Sequence, residues 1–407
     1  MIKQQFETPA GYKKWTFALL GIGLAALLAG IFLLAFSKDE HDVTRFWAVL
    51  LQNSVYFLMI VNAAMFFICA NTLGHAGWPI AFRRVPEAIS AVVPVFAVLA
   101  LIVFIGIIFG HQHHIYHWVD EADVAKDPIL TWKKGFLNPT FFMTWTIVTL
   151  AVWTFVGRKM RQLSREADQG PMDEGQSKKY IYKNTVWAAI FIVFFALTTG
   201  STVPWIWFMS IDAHWYSTMY SWYTFISSFV GGLALIALFI VFLKNQGYLE
   251  HTSREHLQDV GKFIFAFSIF WTYLWFSQFM LIWYANIPEE TVYFQPRVNG
   301  PYRGIFWFNL IVNFVAPILI LMTRGSKRSY AVITFMSVLL VLGHWLDYYQ
   351  MVMPGTVKDH FSLGWFEWGT FALYAGMLMF FTGKALSKAP LVPTHHPYMK
   401  ESVIHHT

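Results

Sequence analysis

Residues 329–353 read SYAVITFMSVLLVLGHWLDYYQMVM. The stretch exceeds the roughly 20 apolar residues a helix needs to cross a bilayer. Inside it lie His344 and Asp347, at i and i+3 and so on one helical face, with Tyr348 at i+4 from the histidine. A charge in hydrocarbon costs at least about 2.5–3.5 kcal/mol on insertion scales. A stretch that keeps one reads as a spanning helix whose polar face meets other helices rather than lipid, and backbone groups at that depth must be satisfied internally.

Working outward in both directions, nine more apolar stretches can be marked, at about 15–36, 46–70, 88–110, 139–157, 184–208, 220–243, 260–284, 303–323 and 363–386. The expectation is an all-α polytopic membrane protein of ten transmembrane helices. Composition agrees: of 407 residues 57% are hydrophobic and only 13% charged, against about 25% charged in soluble domains. Mean hydropathy is +0.47. The 19 Trp and 40 Phe suit lipid contact and interfacial belts. The single cysteine, Cys69, excludes disulfides, C-x-x-C-H haem attachment and cysteine-held iron–sulfur clusters within this chain. The opening MIKQQFETPAGYKKW lacks the shape of a cleavable signal, so the first apolar stretch is expected to remain as a span.

Cationic residues orient these spans. Of the 29 Lys and Arg, 21 fall on the side that carries both ends of the chain and eight on the other. By the positive-inside rule both termini are expected in the cytoplasm, and the net charge of +6 is topogenic rather than a nucleic-acid footprint. The longest connections are 111–138 outside and 158–183 inside, the second reading as a solvated connector. The tail LSKAPLVPTHHPYMKESVIHHT reads as an extended segment lying on a partner; metal binding by its His395, His396, His405 and His406 is the weaker reading.

The ionisable residues within the spans gather toward the outer side. His344 lies about 15 residues into its span, roughly 22 Å at 1.5 Å rise, and Asp347 one turn further out. Glu367 opens the next span, Gln278 and Tyr284 lie in the outer half of the seventh, and Asp212 and His214 sit at a junction at the same level. Imidazole beside carboxylate suits proton acceptance next to a ligand pocket. A buried structural hydrogen bond is the alternative for His344 and Asp347, and an interfacial ion pair with His or Arg is the alternative for Glu367. The inner half offers Asn62, Asn71, Asn313, Ser268, Ser337 and Tyr273 but almost no ionisable group, so a continuous proton path would need waters. Pro204, after Thr198, Thr199, Ser201 and Thr202, and Pro94 mark helix breaks. In the outer loop HQHHIYHWVDEAD, His113 and His117 stand at i, i+4, but no carboxylate or thiol completes a metal site, and Tyr116 and Trp118 read as interfacial anchors. Only His344 lies well inside a span, so two buried bis-histidine haems are excluded.

The stretches FSQFMLIWYANIPEE (276–290), WIWFMSIDAHWYSTMYSWY (205–223) and the loop HQHHIYHW after the third span are more specific. With them the chain resembles the NrfD/PsrC-like integral membrane subunits, and among these the second such subunit of bacterial alternative complex III, a quinol:cytochrome c oxidoreductase. The resemblance runs through most of the spans. It implies two four-helix bundles, about 46–208 and 220–353, with peripheral helices at about 15–36 and 363–386. It implies the bacterial inner membrane, no redox centre in this chain, and haem c and iron–sulfur clusters in partner subunits on the outer side. A sister NrfD-like subunit and a terminal oxidase are further implied partners. It marks Gln278, Tyr284, Asn286, Glu289, Glu290 and the Asp212–His214 pair as signature positions. The resulting expectation is a proton relay of His344, Asp347, Glu367, Asp212 and His214, and a quinone pocket at Gln278, Tyr284 and Tyr348. A structural anchor subunit and a small-solute permease with its site between broken helices are the rival readings.

Overall fold

The computed structural model describes residues 5–110 and 114–406, and every regular element among them is a helix. In chain order these are α1 (Ala10–Gly30), α2 (Glu40–Leu73), α3 (Arg84–Ser90), α4 (Val93–Phe109), α5 (Glu121–Lys126), α6 (Pro128–Lys133), α7 (Pro139–Ser164), α8 (Glu174–Ser201) and α9 (Met219–Asn245). There follow α10 (Arg254–Ala285), α11 (Pro288–Thr291), α12 (Gln295–Val298), α13 (Arg303–Leu310), α14 (Ala316–Ile320), α15 (Arg324–Arg328), α16 (Tyr330–Thr356), α17 (Trp365–Leu386) and α18 (Met399–Val403). Among the described residues, nine helical stretches are long and apolar enough to cross a membrane. The chain is a multi-pass membrane protein. The stretch expected at 363–386 forms α17 but is too polar to be one of the nine.

The helices pack as two rings that share a wall. In the first, α2 contacts α4 and α8, α4 contacts α7, and α7 contacts α8. In the second, α9 contacts α10 and α16, α13 contacts α16, and α10 contacts α14 and the π-helical turn before it. The wall is α2 and α9, with α16 also touching α2. In its most apolar window α9 is 89% buried within the protein and α2 78%, against 17% for α1, so the first two are central and the last faces lipid. What lets the central pair approach is Gly231–Gly232 on α9. A methyl at Gly232 would come within 2.7 Å of Ala63 Cβ and 2.9 Å of the Ile60 carbonyl oxygen. Small residues at such crossings are how helices gain contact in lipid, where no hydrophobic force drives them together. Outside the rings, α17 runs antiparallel to α1: added methyls at Gly30, Gly23 and Gly369 would strike Phe366, Leu373 and Ala26 respectively.

Proline breaks the helices where the sequence marks them. The third span is divided between α3 and α4 just before Pro94. Around Pro204 the helix widens to a π form over Thr202–Phe208, because the ring removes one backbone donor and crowds the preceding turn. Another π segment, Ile311–Val315, precedes Pro317, while a third, Ile31–Ala35 at the end of α1, has no proline beside it.

Three expectations about the connections are corrected. The 158–183 segment is mostly helix: α7 runs to Ser164 and α8 starts at Glu174 behind a capping box of Asp173 and Gln176. Sequence polarity hid this because these turns carry charged and polar residues where the apolar pattern has stopped. Tyr116 and Trp118 do not anchor to the membrane surface. Both are buried against Phe142, the tyrosine donating to the Trp207 carbonyl at 2.8 Å and the tryptophan to that of Ser210 at 3.0 Å. His113 lies outside the described residues. Finally, the C-terminal tail docks on its own chain. Val392 and Met399 cluster with Ile80, and the Ser402 hydroxyl donates to the Trp78 carbonyl at 2.7 Å and accepts from the Ala81 amide at 3.0 Å. His405 pairs with Asp259 at 2.6 Å. A few apolar residues spaced among prolines and histidines suffice for docking, a pattern with no helical period to read.

Two outcomes are expected from this packing. Gly232→Leu should force α9 off α2, and the yield of monodisperse, folded protein in mild detergent should fall several-fold while Gly135→Leu, at an exposed turn with open space around it, has a far smaller effect. In the tail, burial and then the nearby Arg83 and Arg84 hold the His396 imidazole well below its ordinary value of 6.5. A folded-state value below the unfolded one means that docking is fully stable above about pH 6.5 and weakens as pH falls below it. Proteolysis of the tail should therefore accelerate on acidification, and His396→Asn should flatten that dependence.

Candidate functional site

Asp347 is wholly buried on α16 and accepts four hydrogen bonds. One oxygen takes the Tyr223 hydroxyl and the Asn309 amide at 2.8 Å. The other takes the Ser227 hydroxyl at 2.7 Å and the Trp271 indole N–H at 2.9 Å. The donors come from α9, α10 and α13, so every spanning stretch of the second ring reaches this carboxylate. Four donors on one carboxylate are what an ionised oxygen pair demands in a low dielectric.

His344 does not bond Asp347 directly; its Nδ1 stands 3.9 Å from the nearer oxygen. Ser227 bridges the two, its hydroxyl lying 3.1 Å from that nitrogen. The other ring nitrogen, Nε2, is buried without a protein partner, and the ring meets Trp271 edge-on at 5.7 Å. Of the four donors, the Tyr223 and Ser227 hydroxyls can also accept, whereas the Trp271 and Asn309 nitrogens cannot. Each carboxylate oxygen thus has one hydroxyl that can pass a proton and one N–H that holds it in place. Beyond Asn309, Asn313 donates to its side-chain oxygen at 2.6 Å and extends the polar line one turn along the same span.

A cleft of about 10 Å³, room for a single water, opens beside Tyr223, Asp347 and Asn309. On its far wall Arg297 is buried. Its guanidinium donates twice to the Gln350 carbonyl, at 3.0 and 2.7 Å, and once to the Tyr293 carbonyl, and it lies 3.5 Å above the Tyr293 ring. Gln278 Nε2 and Gln350 Oε1 are buried there with no protein partner, the kind of atom an ordered water satisfies. A larger recess of about 310 Å³ lies between Phe136, Leu137, Trp205, Met209, Trp215 and Tyr216, with Lys133 at its edge. Its volume is at the lower end of the range of small-molecule sites. Trp215 joins the two cavities, because its ring stacks on Tyr293 at 4.1 Å.

The residues grouped from sequence separate into three sets. His344 and Asp347 share the network above. Glu367 is buried 2.8 Å from both Nε and Nη2 of Arg45 and also accepts the Gly364 amide at 2.8 Å. It caps α17 and pins it to the N-terminal end of α2, the ion-pair alternative rather than the relay. Exposed His214 pairs with Asp127 at 2.6 Å, with Asp212 half-buried nearby. Burial works against it, but the Ile129 and Leu130 amides and then His214 hold the Asp127 carboxyl below its ordinary value. Of the expected pocket residues, Gln278 lines the cleft. Tyr284 is 83% exposed, and the Tyr348 hydroxyl is turned to the Thr224 carbonyl at 3.2 Å. Sequence reasoning missed Tyr223, Ser227, Trp271, Asn309, Arg297 and Gln350. Tyr223, four residues before Ser227, shows the signal available: two hydroxyls on one face of an apolar helix. Among the described residues no three His, Cys, Asp or Glu are placed to hold a metal ion.

Removing one partner of a buried pair strands the other charge and costs about 3–5 kcal/mol. Arg45→Ala should therefore lower the thermal transition sharply, whereas Arg45→Met with Glu367→Met should lower it less than the single change; equal losses would refute the pairing.

No family model matches the chain and no curated protein matches it, so the reading of this site rests on its own residues.

Proposed function

We propose that this chain is a ten-helix membrane subunit of a respiratory quinol:cytochrome c oxidoreductase of the alternative complex III type, and that its Asp347 network handles the protons that quinol oxidation releases. The observation that carries the reading is the buried carboxylate set between two hydroxyls, Tyr223 on the cleft side and Ser227 toward His344. Oxidation of a quinol releases two electrons and two protons. The electrons pass to haem c and iron–sulfur clusters of partner subunits on the outer side, and the protons need buried acceptors.

In this reading α17 is the tenth span, supported by its antiparallel packing along a spanning helix. Both termini lie in the cytoplasm of a bacterium, with the two rings as two four-helix bundles and α1 and α17 peripheral. The quinone ring takes the apolar recess beside Trp215, since the cleft at Gln278 holds no more than one water. Protons enter through Tyr223, and waters on the unpartnered atoms of Gln278, Gln350 and His344 complete the path. A sister membrane subunit and a terminal oxidase complete the assembly. The full set of donors on Asp347 favours a second reading, in which the carboxylate only fastens the bundle.

Two measurements test the proposal. Affinity purification of the tagged chain in mild detergent should bring down c-type haem and iron–sulfur proteins, visible in a reduced-minus-oxidised spectrum; a colourless single protein would overturn the respiratory assignment. In the assembled complex, Asp347→Asn should slow quinol-dependent cytochrome c reduction or the coupled proton release at least about tenfold, the lower range for a lost acid–base group being about a hundredfold. Unchanged rates in an intact complex would leave Asp347 as a structural fastener.

A further inference from the structure

At the opposite end of the molecule from Asp347, the start of α3 and the ends of α7 and α17 converge on a small recess. Arg84, Glu87, Arg161 and Arg165 line its polar side, and Ala385 and Leu386 are on its apolar side. All three elements border apolar spans or a helix packed along one, so the recess lies at the depth of lipid headgroups.

Its charges do not balance. Glu87 is shared between Arg83 at 2.9 Å and Arg84 at 2.7 Å, and Asp168 pairs with Arg84 at 2.6 Å. Arg161 donates to the Ser90 hydroxyl at 3.2 Å and, like exposed Arg165, has no carboxylate within ion-pair distance among the described residues. Four guanidinium groups therefore face two carboxylates. Arg84 is only 4% exposed, and its Nε is buried with no partner. A buried guanidinium N–H left unpaired costs stability and is a donor in wait of an oxyanion. The free volume is about 20 Å³, enough for phosphate oxygens but not for a nucleotide or a sugar phosphate. The alanine and leucine side leaves the rest of a ligand no polar partner, as suits a group whose remainder stays in the bilayer.

We propose that this recess binds the phosphodiester of an anionic phospholipid, with Arg84, Arg161 and Arg165 as its donors and the acyl chains lying along α17. The cationic excess selects a net negative headgroup over a zwitterionic one. Basic pockets between spanning helices hold acidic lipids in this manner, and each basic residue near the surface contributes about fivefold in affinity.

The test is native mass spectrometry of the delipidated protein, with any tightly bound subunits retained, titrated separately with dioleoylphosphatidylglycerol, dioleoylphosphatidylcholine and inorganic phosphate. Phosphatidylglycerol is expected to bind more tightly than phosphatidylcholine. Arg161→Gln with Arg165→Gln should weaken it about thirtyfold, while Lys178→Gln with Lys179→Gln, the same charge removed elsewhere on that side, leaves it within about twofold. If the double variant does not fold, exposed Arg165→Gln alone should still cost about fivefold. Equal binding of the two lipids, an equal loss in the lysine control, or an unaltered arginine variant would overturn the proposal. So would binding of inorganic phosphate as tight as that of the acidic lipid, which would make the recess a site for the free anion.

Discussion

The second helical ring is organised around one buried carboxyl group. Ionising a carboxylate in the membrane interior is costly unless its lone pairs are filled, and Asp347 fills them only if α9, α10 and α13 all stand at the right height and rotation. Tyr223 and Ser227 fix the face of α9, Trp271 that of α10 and Asn309 that of α13. Apolar surfaces alone would not choose a rotation, because lipid tails are as apolar as leucine. A charge that must be satisfied does choose one. The same demand places Gly343, whose missing side chain leaves room for Asn313, where a methyl would lie 2.2 Å from its amide oxygen.

A second, uncharged set of polar contacts joins this ring to its neighbours. On α2, Gln52 donates to the Trp345 carbonyl at 3.1 Å, Asn53 accepts the Trp345 indole at 3.0 Å, and Ser54 shares a 2.6 Å hydrogen bond with Tyr374 of α17. Three consecutive residues thus bind α2 to α16 on one side and α17 on the other. With the Gly232 crossing they explain why α2, rather than a more hydrophobic helix such as α4, is central. Hydropathy ranks helices by affinity for lipid, whereas the core of a membrane protein is chosen by polar and small residues.

That distinction sets what was legible in the sequence. Spanning segments, their helical nature and the proline breaks follow from length and apolarity. Asp347 stood out because a carboxylate in such a run is rare. Its partners did not: Tyr223, Ser227 and Trp271 are ordinary residues of apolar helices, and Asn309 lies 38 positions away, so only packing shows that they converge. Arg297 lies between apolar stretches where nothing in the sequence marks it, yet it is buried, because α12 packs on α16 and its guanidinium reaches the Gln350 carbonyl. Glu367 was grouped with His344 and Asp347 but pairs elsewhere, since no spacing rule links it to Arg45 across 322 residues. Equal depth in a bilayer is a statement about one coordinate, and a site needs three.

The two ends of the molecule handle charge in opposite ways. At the Asp347 end the anion is neutralised by dipoles and hydroxyls, with Arg297 across a water-sized gap rather than in contact. The Ser227 hydroxyl lies within hydrogen-bond distance of both Asp347 and His344, so it can turn between them without any helix moving. At the other end, Glu87 and Asp168 sit directly on guanidinium groups, a fixed arrangement suited to holding helix ends and external anions in place. One carboxylate is thus enclosed by hydroxyls and N–H groups drawn from three helices, and the other two by guanidinium groups, so the first fixes helix rotation and the others fasten helix ends.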